Sequence, residues 1–296
     1  MFDPDYDLFI AIVESGSISA TARRMSLSAP AVSKRLARLE ERLGGRLLNR
    51  TTRRLAPTAA GRDLYDTLVS LRRALDAAKE RVAGHQTLIS GRLRLSAPTS
   101  FARLHVLPCL PAFIARYPAI ELQVDLSDEF VDLLSGHYDL AIRIGAGAGP
   151  GLVGHRMGTS RRVLCASPEY LEAFGVPQKI GDLAHHRLLA TESQFPWILD
   201  GPAGRVVHHG RSFISTNSSE VVRELALGGC GLALRSIWDV DEAIASGKLV
   251  RVLDQYEGLQ DVGIFMVHAP FPMLPARFQA IIDHLGAQFA RIDALA

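Results

Sequence analysis

Ten cationic side chains crowd into residues 17–57: Arg23, Arg24, Lys34, Arg35, Arg38, Arg42, Arg46, Arg50, Arg53 and Arg54. The same window holds only two acidic residues, Glu40 and Glu41, so it carries +8, whereas the whole 296-residue chain carries +2 and residues 91–296 carry −3. A basic segment beside a mildly acidic remainder is the charge pattern of a polyanion-binding module joined to a second domain. On a duplex, such groups hydrogen-bond phosphates, and those at a helix end reach base edges.

The elements that would present these groups follow from spacing. Tyr6, Phe9, Ile10 and Val13 recur at helical intervals until Ser15 and Gly16 stop them. Ser17 opens a second short helix, Ser26 to Ser28 form a tight connection, and Ser28 caps a third helix with Pro30 in its first turn. Val32, Leu36, Leu39 and Leu43 make one buried stripe of that helix, leaving Ala29, Ser33, Lys34, Arg35 and Arg38 on other faces. Its N-terminal end suits the major groove, with Ser33 and Lys34 toward base edges and Ala29 or Pro30 offering apolar contact to a thymine methyl. Lys34 is equally suited to phosphate. Two extended runs, Leu47 to Arg50 and Arg53 to Pro57, flank Thr51 and Thr52 as a hairpin wing, and its arginines Arg50, Arg53 and Arg54 face phosphates or the minor groove.

Thr58 caps a longer helix reaching about Val82. Leu64, Leu68, Leu71, Leu75, Ala78 and Val82 step along it by four, three, four, three and four residues, a heptad seam expected to dimerise the chain. The competing reading is a helix lying on its own domain. A dimer carrying two recognition helices would read an interrupted inverted repeat in double-stranded DNA.

Beyond Gly91, extended runs at Arg92 to Ser96, Ile120 to Leu126, Leu140 to Ile144 and Val163 to Ala166 alternate with helical stretches. That alternation argues α/β architecture with a mainly parallel sheet, whose ligands sit at the carboxyl ends of the strands. Those ends carry Thr99 with Ser100 and Phe101, Ser127 with Asp128, and Ile144 with Gly145. Ser215, Thr216, Asn217 and Ser218 form another such edge before a helix through Val221 and Leu225, and Trp197 sits in a loop from which it could cover a ligand. Chain crossings near Cys165 and near Val267 would make a hinge between two subdomains.

Several functions lack their residues. There is no P-loop, GxGxxG, HExxH or GxSxG pattern, so no catalysis is expected. His185 with His186 and His208 with His209 are adjacent pairs that do not converge on a metal, and neither a metal nor a cofactor is expected. Cys109, Cys165 and Cys230 are odd in number and widely spaced, which fits buried small hydrophobes rather than disulfides. No apolar run is long enough to span a bilayer, and the acidic start is wrong for a signal segment, so no membrane partner and a cytoplasmic location are expected.

The stretch SISATARRMSLSAPAVSKRLARLEERLGGRLLNRTTRRLAPTAAG resembles the N-terminal signature of the LysR-type transcriptional regulators. GRLRLSAP, LPAFIARYP, DLLSGHYDLAIRIG, RRVLCASPEYL and LALGGCGLALRSIWDV continue the resemblance in the order the family shows. It implies a winged helix-turn-helix DNA-binding domain (1–58), a dimerising linker helix and hinge (59–90), and a periplasmic-binding-protein-like effector domain (91–296) of two α/β subdomains. The first subdomain would comprise 91–164 and 268–296, the second 165–267. It also implies a homodimer assembling to a homotetramer, contact with RNA polymerase, and a small-molecule effector held near Thr99 and Ser100. The family often places Gln where Ala29 stands, so the adenine reading that Gln supplies is not expected here. Arg235 in LALRSIWDV stands where many relatives have Pro, and this run, with RTTRR and IASGKLVRVL, resembles the subgroup that includes a D-malate-responsive activator. The forked guanidinium of Arg235 makes it a candidate carboxylate anchor, against the alternative of a salt bridge to Asp239. An organic acid is the expected effector, with an aromatic or apolar ligand, or cysteine oxidation, as the other signals. A small-molecule binding protein without a regulatory role fits the second half but leaves the basic head unexplained.

Overall fold

The computed structural model describes residues 3–50, 55–83, 89–134, 137–192 and 194–293. Its contacts divide the chain into two units, one dominated by residues up to 87 and the other by residues from 88 onward.

In the first unit, α1 (Pro4–Ser15), α2 (Ile18–Arg24) and α3 (Ala29–Leu43) are followed by the strands β1 (Leu48–Arg50) and β2 (Leu55–Pro57) and by the long helix α4 (Ala59–Ala83). Each start is set by a side chain that accepts an orphan amide: Asp3 from Asp5, Ser17 from Ala20 and Ser28 from Ala31. Gly16 and Gly44 end α1 and α3 in the left-handed region, at φ 60° and 70°. Phe9, Ile12, Val32, Leu36 and Leu39 form the core between them. Glu40 turns its carboxylate into the fold, where Oε1 accepts the amides of Leu47 (2.8 Å) and Leu48 (3.2 Å) and anchors the first strand of the wing.

The linker seam divides in two, which corrects the sequence expectation. Leu68 is 4% exposed within the head's core beside Tyr65 and Val69, and Leu64 packs against the same cluster. Leu68 is thus consumed inside the monomer and is not free to dimerise, while Leu64 is half-buried against the same cluster. Leu71 (54% exposed) and Leu75 (37%) are open. The side chains of Ala78 and Val82 lie outside the described residues. Close approach of α4 to the wing depends on Gly61, where a Cβ would stand 1.9 Å from the Leu47 carbonyl oxygen.

The second unit holds two sheets. β3 (Gly91–Ala97) leads into a continuous helical run of α5 (Thr99–Phe101), a π turn, a 3₁₀ turn and α6 (Leu110–Arg116). Then come β4 (Ile120–Leu126), β5 (Leu140–Gly145) and β6 (Val153–Thr159). The chain crosses into a second lobe with β7 (Arg162–Ala166), α7 (Pro168–Phe174), β8 (Leu188–Leu189) and the hairpin β9 (Trp197–Gly201) and β10 (Gly204–His208). There follow α8 (Ser219–Leu227), β11 (Leu232–Ser236), α9 (Ile237–Ala245), β12 (Val250–Arg251) and β13 (Glu257–Gly258). β14 (Gly263–His268) and α10 (Ala276–Asp293) complete the first lobe.

The first sheet runs β4-β3-β5-β14-β6, and the second runs β10-β9-β13-β7-β11-β8 with β12 beside β7. Among the described strand pairs, only β3 with β4, β3 with β5 and β11 with β8 are parallel. The sheets are thus mixed rather than mainly parallel, because β14 returns from the other lobe and enters antiparallel to both β5 and β6. Both crossings also lie outside the expected positions. They fall at 160–161 and 259–262, so β7 belongs to the second lobe and β14 to the first. Alternate residues of β7 bury toward two separate clusters, Leu164 and Ala166 on one face and Val163 and Cys165 on the other, which accounts for its unbroken apolar run.

Candidate nucleic-acid interface and effector cleft

On α3, Ser28, Pro30, Lys34 and Arg38 are exposed, while Ala29, Ser33 and Arg35 are half-buried and Ala29 packs against the head's core. Lys34 and Arg38 have no ion pair among the described residues. Arg35 does: its Nε and a terminal nitrogen lie 2.8 and 2.7 Å from Asp5 Oδ1. Arg42 pairs with Asp3 at 2.8 Å and Arg24 with Glu14 at 3.1 Å. The acidic start of the chain thus neutralises part of the basic window, and Arg35 holds α1 to α3 instead of pointing a free charge outward, contrary to its expected role. Thr51, Thr52, Arg53 and Arg54 lie outside the described residues, as does the side chain of Arg50.

The cleft of the second unit, about 340 Å³, lies between its two lobes. That is at the small end of ligand sites. Of the residues expected at it, Asp128, Ile144, Asn217 and Arg235 line it. Thr99, Ser100, Phe101, Gly145, Trp197 and Ser218 are not among its lining residues. Phe101 is buried in an aromatic cluster with Trp238 and Phe289, at centroid distances of 5.0 and 5.1 Å. Ser100 is also buried, its hydroxyl donating to Glu220 Oε2 at 2.8 Å. Trp197 starts β9 rather than sitting in a loop, and its ring is buried and stacked on Phe195 at 4.8 Å. Hairpin pairing with β10 aims that face into the lobe's core.

Arg235 resolves to the salt-bridge alternative. Its Nε and a terminal nitrogen donate to Asp239 Oδ2 at 2.8 and 2.6 Å, and the arginine side chain is 6% exposed. Its fork is already filled by a carboxylate of the chain. Arg143 also reaches the cleft, where its guanidinium donates to the carbonyls of Val131 (2.7 Å) and Ala148 (3.2 Å).

Arg162 is different. It lines the cleft, and among the described residues its side chain has neither a hydrogen bond nor an ion pair. Burial, and then the neighbouring charge of Arg235, push its pKa down, although a guanidinium keeps its proton. Gly258 makes room for its stem: a Cβ there would stand 2.7 Å from Arg162 Cβ. The signal for Arg162 was the strand period. Arg161 immediately precedes β7 and Arg162 is its first residue, so consecutive side chains take opposite sides, and Arg161 pairs with Glu257 at 2.7 Å while Arg162 lines the cleft. The rest of the lining includes the carboxylates of Asp128 and Glu129, apolar side chains such as Phe130 and Trp238, and the neutral groups Thr191, Asn217 and Gln194, whose amide is fixed by the Leu234 carbonyl at 2.8 Å.

Burial pushes the Cys165 thiol up to about 12, which leaves it protonated at neutral pH and a poor redox centre. Among the described residues, no group of three or more His, Cys, Asp or Glu is arranged to hold a metal ion, and no helix is long and apolar enough to cross a membrane.

Comparison with known proteins accounts for both parts. Residues 5–62 match the model of the bacterial regulatory helix-turn-helix protein, lysR family, and residues 86–290 match that of the LysR substrate binding domain. The HTH-type transcriptional regulator DmlR of Escherichia coli strain K12 is 34% identical over 290 residues, spanning 97% of this chain and 94% of its own. The HTH-type transcriptional activator TtdR of the same strain is 32% identical over 287 residues, spanning 96% and 92%. The full-length structure of the Vibrio cholerae virulence activator AphB superposes with a TM-score of 0.62 at 28% identity, covering 96% of this chain and 98% of that one. A basic winged head, a long linker helix and a two-lobed ligand domain thus coincide with matches along nearly the whole chain, and the chain belongs to the LysR family of bacterial transcriptional regulators.

Proposed function

We propose that this regulator answers to a small organic acid whose carboxylate is held by Arg162. The observation that carries this reading is the half-buried guanidinium in the cleft, without a partner among the described residues, whose desolvation an anion would offset. The subgroup resemblance to a D-malate-responsive activator agrees in chemical class. Thr191, Gln194 and Asn217 would take the hydroxyl and remaining oxygens of such a ligand.

At the other end, Ser33 and Lys34 read base edges, Pro30 and the half-buried Ala29 offer apolar contact, and Arg38 binds phosphate, joined by the wing residues 50–54. Leu71 and Leu75 carry dimerisation along the exposed part of α4. The dimer reads an interrupted inverted repeat and pairs into a tetramer, in the cytoplasm and within reach of RNA polymerase. Effector binding shifts the balance of open and closed lobes, pivoting at 160–161 and 259–262, by as much as it prefers one form.

The test is thermal melting of the full-length protein against D-malate and related hydroxy acids, with aromatic acids as the comparison, because a ligand that binds only the folded state raises Tm by mass action. The expected result is a rise with a small hydroxy acid that Arg162→Ala abolishes. A rise that survives in Arg162→Ala removes Arg162 from the site. A rise with aromatic acids alone replaces the ligand class.

A further inference from the structure

Two helices begin on opposite lobes at the edge of the cleft. The run from Thr99 to Arg116 follows β3 in the first lobe, and α8 starts at Ser219 in the second. Both starts leave backbone N–H groups in need of acceptors, at the positive ends of helix dipoles. Asp128, in the turn after β4, serves both. Its Oδ1 accepts the Thr99 amide at 2.8 Å, and its Oδ2 accepts the Ser219 amide at 2.5 Å. The first bond stays within one lobe and the second spans the cleft. Polar contacts around it also span the lobes: Ser100 Oγ with Glu220 Oε2 at 2.8 Å, Arg103 with Glu220 Oε1 at 2.9 Å, and Asn217 Nδ2 with Glu129 Oε1 at 3.4 Å.

We propose that Asp128 is a built-in anion that clasps the two lobes, occupying the point where two helix N-termini converge and where an anionic ligand would otherwise bind. The closed form is then reached without a ligand, and solution anions are excluded from these two amides as long as Asp128 stays seated. The clasp is two hydrogen bonds to one side chain, and the contacts of Glu220 and Glu129 across the lobes must part with it before the cleft opens. This inference is independent of which acid, if any, meets Arg162.

The experiment uses the full-length protein and two readouts, hydrogen exchange in the peptides that contain Thr99 and Ser219, and Tm with added formate against chloride at equal ionic strength. Hydrogen bonds to a charged acceptor are strong enough that Asp128→Ala should speed exchange at both amides by at least about tenfold. Formate, a carboxylate small enough for the vacated place, should slow that exchange again and raise Tm more than chloride does in the variant, with no such preference in the wild type. Unchanged exchange in Asp128→Ala overturns the proposal. So does a wild-type response to formate equal to the variant's, because the position would then be open already. If Asp128→Ala does not fold, Asp128→Asn decides the matter: an amide cannot accept from both N–H groups through two oxygens, so exchange should quicken in at least one peptide, and no change in either overturns the clasp.

Discussion

Removing either partner of the Arg235–Asp239 pair should harm the effector domain unequally. Both side chains are almost fully buried, and two N–H groups of Arg235 converge on one Asp239 oxygen. In Asp239→Ala the guanidinium is left desolvated, unable to lose its proton and beside the like charge of Arg162. Stranding one charge of a buried pair costs about 3–5 kcal/mol, a large share of the ~5–15 kcal/mol that holds a typical domain. In Arg235→Ala the carboxyl has two ways out. Arg223 Nε remains 3.7 Å from its other oxygen, and burial already pushes the Asp239 pKa up, so it takes a proton instead of remaining a bare charge. The cost there should be roughly 1–3 kcal/mol, that of an unsatisfied buried polar group. A pH signature follows. With the folded pKa of Asp239 above its ordinary 3.8, the folded state holds a proton that the unfolded state has lost. Stability of Arg235→Ala therefore falls as pH rises from the unfolded value through the folded one, and Asp239→Ala lacks that slope. Urea unfolding followed by tryptophan fluorescence isolates this domain, because both tryptophans, Trp197 and Trp238, lie in it. Equal losses in the two variants, or an Asp239→Ala loss below about 1 kcal/mol, would refute the reasoning from stranded charge.

Three further outcomes are expected. Lys34→Ala should weaken binding to the specific operator by about 1–3 kcal/mol more than binding to random DNA, while Arg38→Ala should weaken both alike and lower the salt slope by about one; an equal loss in Lys34→Ala would make Lys34 a phosphate contact. Gly61→Ala should destabilise the head by about 1–3 kcal/mol or more, since its Cβ would meet the Leu47 carbonyl oxygen at 1.9 Å; melting of the helical signal at the wild-type temperature would show that α4 shifts without cost. His268 is buried with Nδ1 2.6 Å from the Ala269 carbonyl and Nε2 3.0 Å from His155 Nε2, and burial pushes its pKa below 6.5. The unfolded state then takes a proton that the folded state refuses, so stability should fall as pH drops from 6.5 through the lowered value; a urea midpoint that His268→Gln leaves equally acid-sensitive would acquit His268.

The head was legible because its signals are local. Ser28 before Ala29 and Pro30, the Leu36 and Leu39 stripe, and Gly16 and Gly44 after their helices specify starts, faces and stops within a few residues. The linker was half legible: one stripe serves the head's own core at Leu64 and Leu68 and lies open at Leu71 and Leu75, and periodicity does not mark where one role ends. Long-range pairing was the hidden part. Nothing near Val262 says that β14 enters the first sheet against β5, and nothing near Trp197 says which way a hairpin will turn its ring. At the cleft, Arg235 drew notice by its chemistry while its partner stood four residues on. Nothing in residue type sets Arg162 apart from Arg161, although strand alternation separates the two.

The charges around the cleft also bear on how many carboxylates a ligand carries. Arg235 is matched by Asp239, and Arg143 donates to two carbonyls, so among the described cleft residues Arg162 is the cation left for the proposed acid. An acid with one carboxylate is satisfied there and leaves Asp128 on its two amides. An acid with two has a second charge in a small cleft that already contains Asp128 and Glu129. That charge is repelled unless it displaces Asp128 and takes the Thr99 and Ser219 amides, donors of the kind that favour an anion. Asp128→Ala should therefore tighten binding of a dicarboxylate such as D-malate by about tenfold, or ~1.4 kcal/mol, and leave a hydroxylated monocarboxylate nearly unaffected. Titration calorimetry with both acids on both proteins makes the comparison. Equal changes for the two acids would mean that Asp128 acts on the lobes alone and takes no part in counting carboxylates.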